Sequence, residues 1–156
     1  MPRHEPPGYG CPFCRIIRES ADPATRDSGF VGALGGAIAL ISNRWWPNNR
    51  GHALVVPTSH VENLYEVSPD SGHAVHDLVQ QVAIAIRTSY GCDGISTRQH
   101  NEPTGNQDVW HLHVHVFPRY PDDHLYSTEP LPGPVSAEQR RPYAERLRQA
   151  LKGITD

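Results

Sequence analysis

The sequence predicts an α+β domain on a mainly antiparallel sheet, with a short N-terminal helix, one long central helix and a C-terminal helix. Three observations predict it. Apolar residues keep helical spacing from Val75 to Ile86, and strict alternation from His111 to Phe117. The short apolar runs are bounded by turn-forming segments, as in hairpins. Helical stretches flank those pairs, giving the order helix, hairpin, helix, hairpin, helix. The 156 residues amount to one domain, with a core at about 11–120 and a Pro-rich loop plus C-terminal helix over 121–156. A chain of this size buries roughly 68–70% of its unfolded surface without a disulfide scaffold.

Each element has its signal. A helix from Pro12 to Arg18 carries Pro near its first turn. Ala37–Ser42 and Ala53–Val56 read as strands joined by the turn-rich segment Asn43–Gly51. The central helix opens with Ser68 as N-cap, Pro69 at its first position and Asp70 in its first turn. Val75, Leu78, Val79, Val82 and Ile86 form its apolar face, and Gly91 ends it. Gly94–Gln99 and Val109–Phe117 are the next strands, and Pro118–Pro134 is a surface loop. The last helix lies within Ser136–Lys152, where Pro142 kinks it or marks its true first turn.

Composition narrows the function. Lys and Arg number 14 against 17 Asp and Glu, a net charge of −3, which argues against a nucleic-acid polymer as partner. Mean hydropathy is −0.54, and no apolar run approaches the roughly 18–20 residues that span a bilayer. The start, Met1 to Gly8, lacks the apolar region of a signal peptide. With three cysteines, this points to a reducing, cytoplasmic setting.

Ten histidines are the marked feature. On a strand over 111–117, His111, His113 and His115 share one face while Leu112, Val114 and Val116 pack on the other. Three imidazoles in a row suit a solvated face, a His-x-His zinc site with an open position, or nucleophilic catalysis by neutral imidazole. Spacing alone does not choose. Cys11-Pro-Phe-Cys14 admits a redox pair, two inert core cysteines, or half of a tetrahedral zinc site. The residues before it make no strand, which counts against redox. Cys92 reads as a buried apolar residue. His4, His73, His76 and His124 read as solvated, and His100 and Asn101 face opposite ways if both lie in a strand. Arg140, Arg141, Arg146 and Arg148 read as a solvated helix face.

The run His-φ-His-φ-His-φ-φ at 111–117 (φ apolar), Gly51-His-Ala-Leu-Val-Val-Pro57 followed by His60, Asn101, Gln107-x-Val109, and Pro118-Arg119-Tyr120 stand in one order. In these the chain resembles the histidine triad, or HIT, family of nucleotide hydrolases and transferases, and within it the zinc-containing bacterial members. The resemblance implies a HIT-like fold and a homodimer. It implies cleavage at the α-phosphate of a nucleoside phosphoramidate, acyl-nucleotide or dinucleotide through a nucleotidyl-histidine intermediate. His113 is then the nucleophile, and His115 contacts phosphate oxygen or the leaving group. Asn101 and Gln107 become neutral phosphate donors, with His52 close behind. A structural zinc is implied on Cys11, Cys14, His60 and His111, with His52 the rival to His60. The C-terminal arginines become a possible specificity element.

Two positions depart from the family pattern. Asp108 stands where a Ser or Thr is usual, a substrate-contacting position: an ionised carboxylate there repels phosphate, but it can accept from a cationic leaving group or, with a raised pKa, assist as a general acid. The stretch Asn43 to Pro47 lacks the Asp that binds ribose; Asn43 replaces some of that bonding, and of Trp45 and Trp46 at least one packs in the turn, with base stacking the competing role. Competing readings are a nucleotidyltransferase or phosphorylase, a non-catalytic nucleotide-binding module stabilised by zinc, and a zinc hydrolase using His111 and His113 as ligands.

Overall fold

Ser68 caps the long helix as the sequence predicts: its side chain accepts the Ser71 N–H at 3.2 Å, with Pro and Asp70 in the first turn. The computed structural model describes residues 1–155, with side chains through residue 152. The elements are α1 (Pro12–Ser20), β1 (Phe30–Leu34), β2 (Ala37–Ile41), β3 (Ala53–Pro57), α2 (Pro69–Ser89), β4 (Gly94–Gln99), β5 (Val114–Arg119) and α3 (Ala137–Thr155). The five strands form one sheet in the order β1-β2-β3-β5-β4, and every neighbouring pair is antiparallel.

Three elements differ from the sequence reading. β1 is an additional strand, so the first hairpin is a three-stranded meander. Its sequence, Phe-Val-Gly-Ala-Leu, has no alternation, and its register shifts between Phe30 and Gly32. β5 starts at Val114 rather than Val109. The chain before it leaves the ladder, and Leu112 donates its N–H to the Val61 carbonyl at 2.8 Å. β5 also continues through Pro118, which β3 does not reach: their pairing covers only Val114 to Val116. The lost N–H therefore breaks no bond to β3. Finally, α3 runs on through Pro142. Its start is set by Ser136, whose hydroxyl accepts the Gln139 N–H at 3.2 Å while Gln139 Oε1 accepts the Ser136 N–H at 3.3 Å. That is a capping box, six residues before the proline.

The two faces of the sheet carry different loads. One is covered by α2 and α3, which press Val82, Ala85, Ile86, Ala144 and Leu147 against Ala39, Ala53, Val55 and Val116. Cys92 belongs to this buried set, as expected. The other face packs Phe13 of α1 against Phe30, Ile38, Leu40, Leu54 and Val56, and leaves the β5 histidines beside it. The Pro-rich segment is tied down by Leu131 N–H to Trp45 O at 2.7 Å and Val135 N–H to Asn43 O at 2.6 Å. Among the described residues no helix is long and apolar enough to cross a membrane.

Candidate active site and metal cluster

His113 is 3% exposed and lies at the wall of an open cleft of ≈ 820 Å³. Its Nδ1 is 2.7 Å from the His111 carbonyl. A carbonyl only accepts, so Nδ1 carries the proton and Nε2 is left with its lone pair. Asp108 Oδ1 stands 3.4 Å from that Nε2, and Asp108 Oδ2 accepts from Arg44 Nη1 at 3.2 Å. The Asp108 carboxyl is held down at about 2, first by the hydrogen bond it accepts from His113 when that ring is protonated at Nε2 as well, against the opposing effect of burial.

Behind His113 a second pair of imidazoles is stacked. His52 is fully buried, 4.2 Å from the Phe117 ring and 5.5 Å from the His115 ring. Its Nε2 is 3.3 Å from His115 Nδ1, while its Nδ1 is buried without a partner. An orphaned lone pair is tolerated better than an orphaned N–H. This assigns the His52 proton to Nε2, the acceptor role to His115 Nδ1, and an N–H to His115 Nε2 on the cleft side. Burial pushes His52 down to about 3 and His115 to about 2, so both are neutral imidazoles at neutral pH.

The cleft is lined by Asn43, Trp46, Arg98, His100, Gln107, Asp108, His113 and His115, among others. The adjacent tryptophans divide their roles. Trp45 is core, with Nε1 donating to Ser42 O, and Trp46 faces the cleft. Two of the expected phosphate donors are otherwise engaged. Asn101 lies outside the cleft, its Oδ1 accepting the Leu64 N–H and Gln99 Nε2, both at 2.8 Å. Gln107 spends its amide within the loop, accepting the Glu102 N–H and donating to the carbonyls of Glu62 and Val109. Arg98 was not singled out in the sequence. The signal that finds it is the strand register, which sets Arg98 opposite His115.

The outlying residues are sorted as follows. His73, His76 and His124 are exposed. His4 is half-buried, 3.4 Å from Glu102 and packed on the Trp110 ring. Of the C-terminal arginines, Arg141 and Arg146 are exposed and Arg140 and Arg148 half-buried. Arg140 pairs with Asp27 at 2.7 Å, Arg141 reaches Ser28, Arg148 donates to the Phe30 carbonyl, and Arg146 lies over Tyr90 and Tyr143. Together they fasten α3 to the chain around β1 and to α2.

Cys11, Cys14, His60 and His111 converge on the far side of α1's first turn, their ligand atoms all within 4.8 Å of one another. His111 Nδ1 is 3.4 Å from Cys11 Sγ, 3.6 Å from Cys14 Sγ and 3.2 Å from His60 Nδ1. Cys14 Sγ is 3.2 Å from His60 Nδ1. A tetrahedron with zinc–sulfur bonds of about 2.3 Å and zinc–nitrogen bonds of about 2.0–2.1 Å has edges of roughly 3.3–3.8 Å. The outer nitrogens are spoken for as well. His111 Nε2 donates to the Pro57 carbonyl at 2.9 Å, and His60 Nε2 meets Glu5 Oε2 at 2.5 Å. Both rings therefore turn bare Nδ1 lone pairs toward one point beside two sulfurs, an arrangement that fits a cation. Glu5 is placed by buried Glu62, which accepts the N–H groups of His4 and Glu5. His52 and His113 are not members of this group.

Known proteins share this architecture. A model of the HIT domain matches residues 30–122. An adenosine 5'-monophosphoramidase of Schizosaccharomyces pombe is 27% identical over 142 residues, 91% of this chain and 98% of its own length. An uncharacterized HIT-like protein of Mycobacterium tuberculosis (strain H37Rv) is 32% identical over 115 residues, 74% of this chain and 75% of its own. Among solved structures, a zinc-bound histidine triad family protein from Mycobacterium smegmatis superposes with a TM-score of 0.74 at 26% identity, covering 94% of this chain and 96% of that one.

Proposed function

The chain belongs to the HIT-domain family, and from that membership we propose that it hydrolyses nucleoside phosphate derivatives at the α-phosphorus, with His113 as the nucleophile. The observation that carries this reading is the His113 tautomer: Nδ1 is tied to the His111 carbonyl, so the nucleophilic Nε2 faces the cleft. In the first step Nε2 forms a bond to the α-phosphorus as the bond to the leaving group breaks. His115 presents its Nε2–H to the leaving group, and His52 holds that ring in the required tautomer. In the second step water attacks the phosphorus and gives up a proton to solvent, the electron pair of the broken P–Nε2 bond returns to His113, and a nucleoside monophosphate leaves. Trp46 and Asn43 line the part of the cleft open to the nucleoside.

Cys11, Cys14, His60 and His111 would hold a zinc ion, which would supply a structural cross-link rather than chemistry. These residues would then tie the start of α1 to the segment before β5 and steady the backbone carbonyl of His111, the group that sets the His113 tautomer.

The test is turnover of adenosine 5'-phosphoramidate to the monophosphate by wild type and His113→Ala. Turnover by wild type alone is the expected result. Strict dependence on added phosphate would reassign the protein as a phosphorylase. Nucleotide binding with no turnover would reassign it as a binding module.

A further inference from the structure

Arg98 lies on β4 directly across from His115 on β5, so the two side chains leave the same face of the sheet. Its guanidinium carbon is 4.6 Å from the centre of the Phe117 ring, 5.0 Å from that of Trp46 and 5.8 Å from that of Tyr126. The side chain lines the same cleft as His113 and His115. Two other arginines of the cleft have carboxylate partners: Arg44 meets Asp108 and Arg140 meets Asp27. Arg98 has no such partner among the described residues, and its Nε is buried with no hydrogen-bond partner.

A half-buried cation held by three aromatic faces is fixed in place but not neutralised. Cation–π contact supplies attraction without filling any of the five N–H donors. The unmet demand is for an oxyanion, which a guanidinium fork takes in two parallel hydrogen bonds. Position says which oxyanion. The His113 and His115 rings are 5.2 Å apart, centre to centre, and Arg98 stands at the His115 end. A phosphoryl group on His113 Nε2 therefore leaves room for a second anionic group beside His115.

We propose that Arg98 is a specificity residue that receives an oxyanion carried by the leaving group, so that the preferred substrates are nucleotides joined at the α-phosphorus through a bridging oxygen to a phosphate or a sulfate. This rests on the reading of His113 as the nucleophile and narrows its substrate class. The bond bookkeeping is the same as before, with one difference. As the P–Nε2 bond forms, the electron pair of the broken P–O bond departs on the bridging oxygen. A phosphate or sulfate so released carries its charge away, and Arg98 meets that charge. An amine leaving group instead accepts a hydrogen bond from His115 Nε2–H, draws its proton from solvent, and has no use for Arg98.

The experiment compares kcat/KM of wild type, Arg98→Lys and Arg98→Met on adenosine 5'-phosphosulfate, ADP and adenosine 5'-phosphoramidate. The ratio of the sulfate or phosphate substrate to the phosphoramidate falls about 10- to 100-fold in Arg98→Met, the span for losing charge-assisted hydrogen bonds, and less in Arg98→Lys. Which of the two oxyanion substrates wild type prefers identifies the leaving group. A ratio unchanged within about threefold overturns the proposal and makes Arg98 a ligand of the α-phosphate or a scaffold residue. A binding measurement reads Arg98 without turnover. The methylene-bridged analogue of ADP binds wild type about tenfold more tightly than AMP, and Arg98→Met erases that preference. Equal affinities in wild type overturn the proposal. Failure of wild type to turn over any of the three substrates tells instead against His113 catalysis and leaves the binding comparison to decide Arg98.

Discussion

Replacing His52 with Phe separates the stabilising role of the buried imidazole pair from its chemical role. His52 is fully enclosed, stacked on Phe117 at 4.2 Å, and a phenyl ring fits a site of that shape. The substitution removes one orphaned buried nitrogen and strands another, His115 Nδ1, which loses its donor. Each unsatisfied atom costs about 1–3 kcal/mol, so the two roughly cancel and stability at pH 8 changes by less than about 1.5 kcal/mol. The pH dependence does not cancel. The folded protein holds His52 down at about 3, whereas an unfolded histidine titrates near 6.5. Between those values the unfolded chain binds the extra proton, so stability is full above about pH 7 and is lost as pH falls. From 6.5 down to pH 5 the loss is 1.5 units at 1.36 kcal/mol each, about 2 kcal/mol. His115, pushed to about 2, adds a similar loss that stays in the variant. Urea denaturation at pH 8 and pH 5 therefore shows an acid penalty about 2 kcal/mol smaller in His52→Phe than in wild type. Turnover falls on the order of 100-fold, because His115 no longer has a donor fixing its tautomer. An identical acid penalty in both proteins, or a variant of wild-type activity, refutes the assignment of His52 as the neutral donor behind His115.

Other perturbations follow from the same geometry. Gly51→Ala places a Cβ at φ +77° and 2.7 Å from Cγ and Cε1 of Tyr143; left-handed strain and overlap together cost about 2–5 kcal/mol by chemical denaturation, and a neutral variant contradicts the packing. Cys14→Ser lowers bound zinc from one per chain to none by metal analysis. If the metal stands at about 1,000 times its Kd it contributes about 4 kcal/mol, and Tm drops roughly 8–16 °C; an unchanged Tm contradicts a structural zinc. Asp108→Asn removes a carboxylate lying 3.4 Å from His113 Nε2 and frees Arg44 for phosphate. Relief of about 1–2 kcal/mol of repulsion lowers KM for an anionic nucleotide about 5- to 30-fold; a raised KM makes Asp108 a substrate-binding group instead.

The legible part of this protein is the part written in local pattern. The cap at Ser68, the helical stripe from Val75 to Ile86 and the alternation of histidines with Leu112, Val114 and Val116 are all near-neighbour signals, and the structure shows the helix over the first two and a strand over the third from Val114 onward. β1 was invisible because Gly32 interrupts it and no alternation survives over five residues. The strand read over 109–117 begins only at Val114, since its N-terminal part is drawn off by Val61 toward the cluster of Cys11, Cys14, His60 and His111. Side-chain partnerships between distant segments are the other gap. Asn101 and Gln107 stand in the expected order, yet their amides serve the loop, because Leu64 N–H, Glu102 N–H and the Glu62 carbonyl need partners there. The Arg44–Asp108 pair spans 64 residues of chain, and Arg98 gains its place only from the pairing of β4 with β5.

The proposed hydrolysis passes through a covalent nucleotidyl group on His113. The most direct measurement is intact-protein mass spectrometry after mixing with adenosine 5'-phosphoramidate and quenching rapidly without acid, on wild type and on His113→Ala. Wild type is expected to carry one adenylyl adduct, localised to the peptide containing His113, that decays with release of the monophosphate and is absent from the variant. An adduct that persists in His113→Ala, or monophosphate formed by wild type at full rate with no adduct at any mixing time, would contradict it.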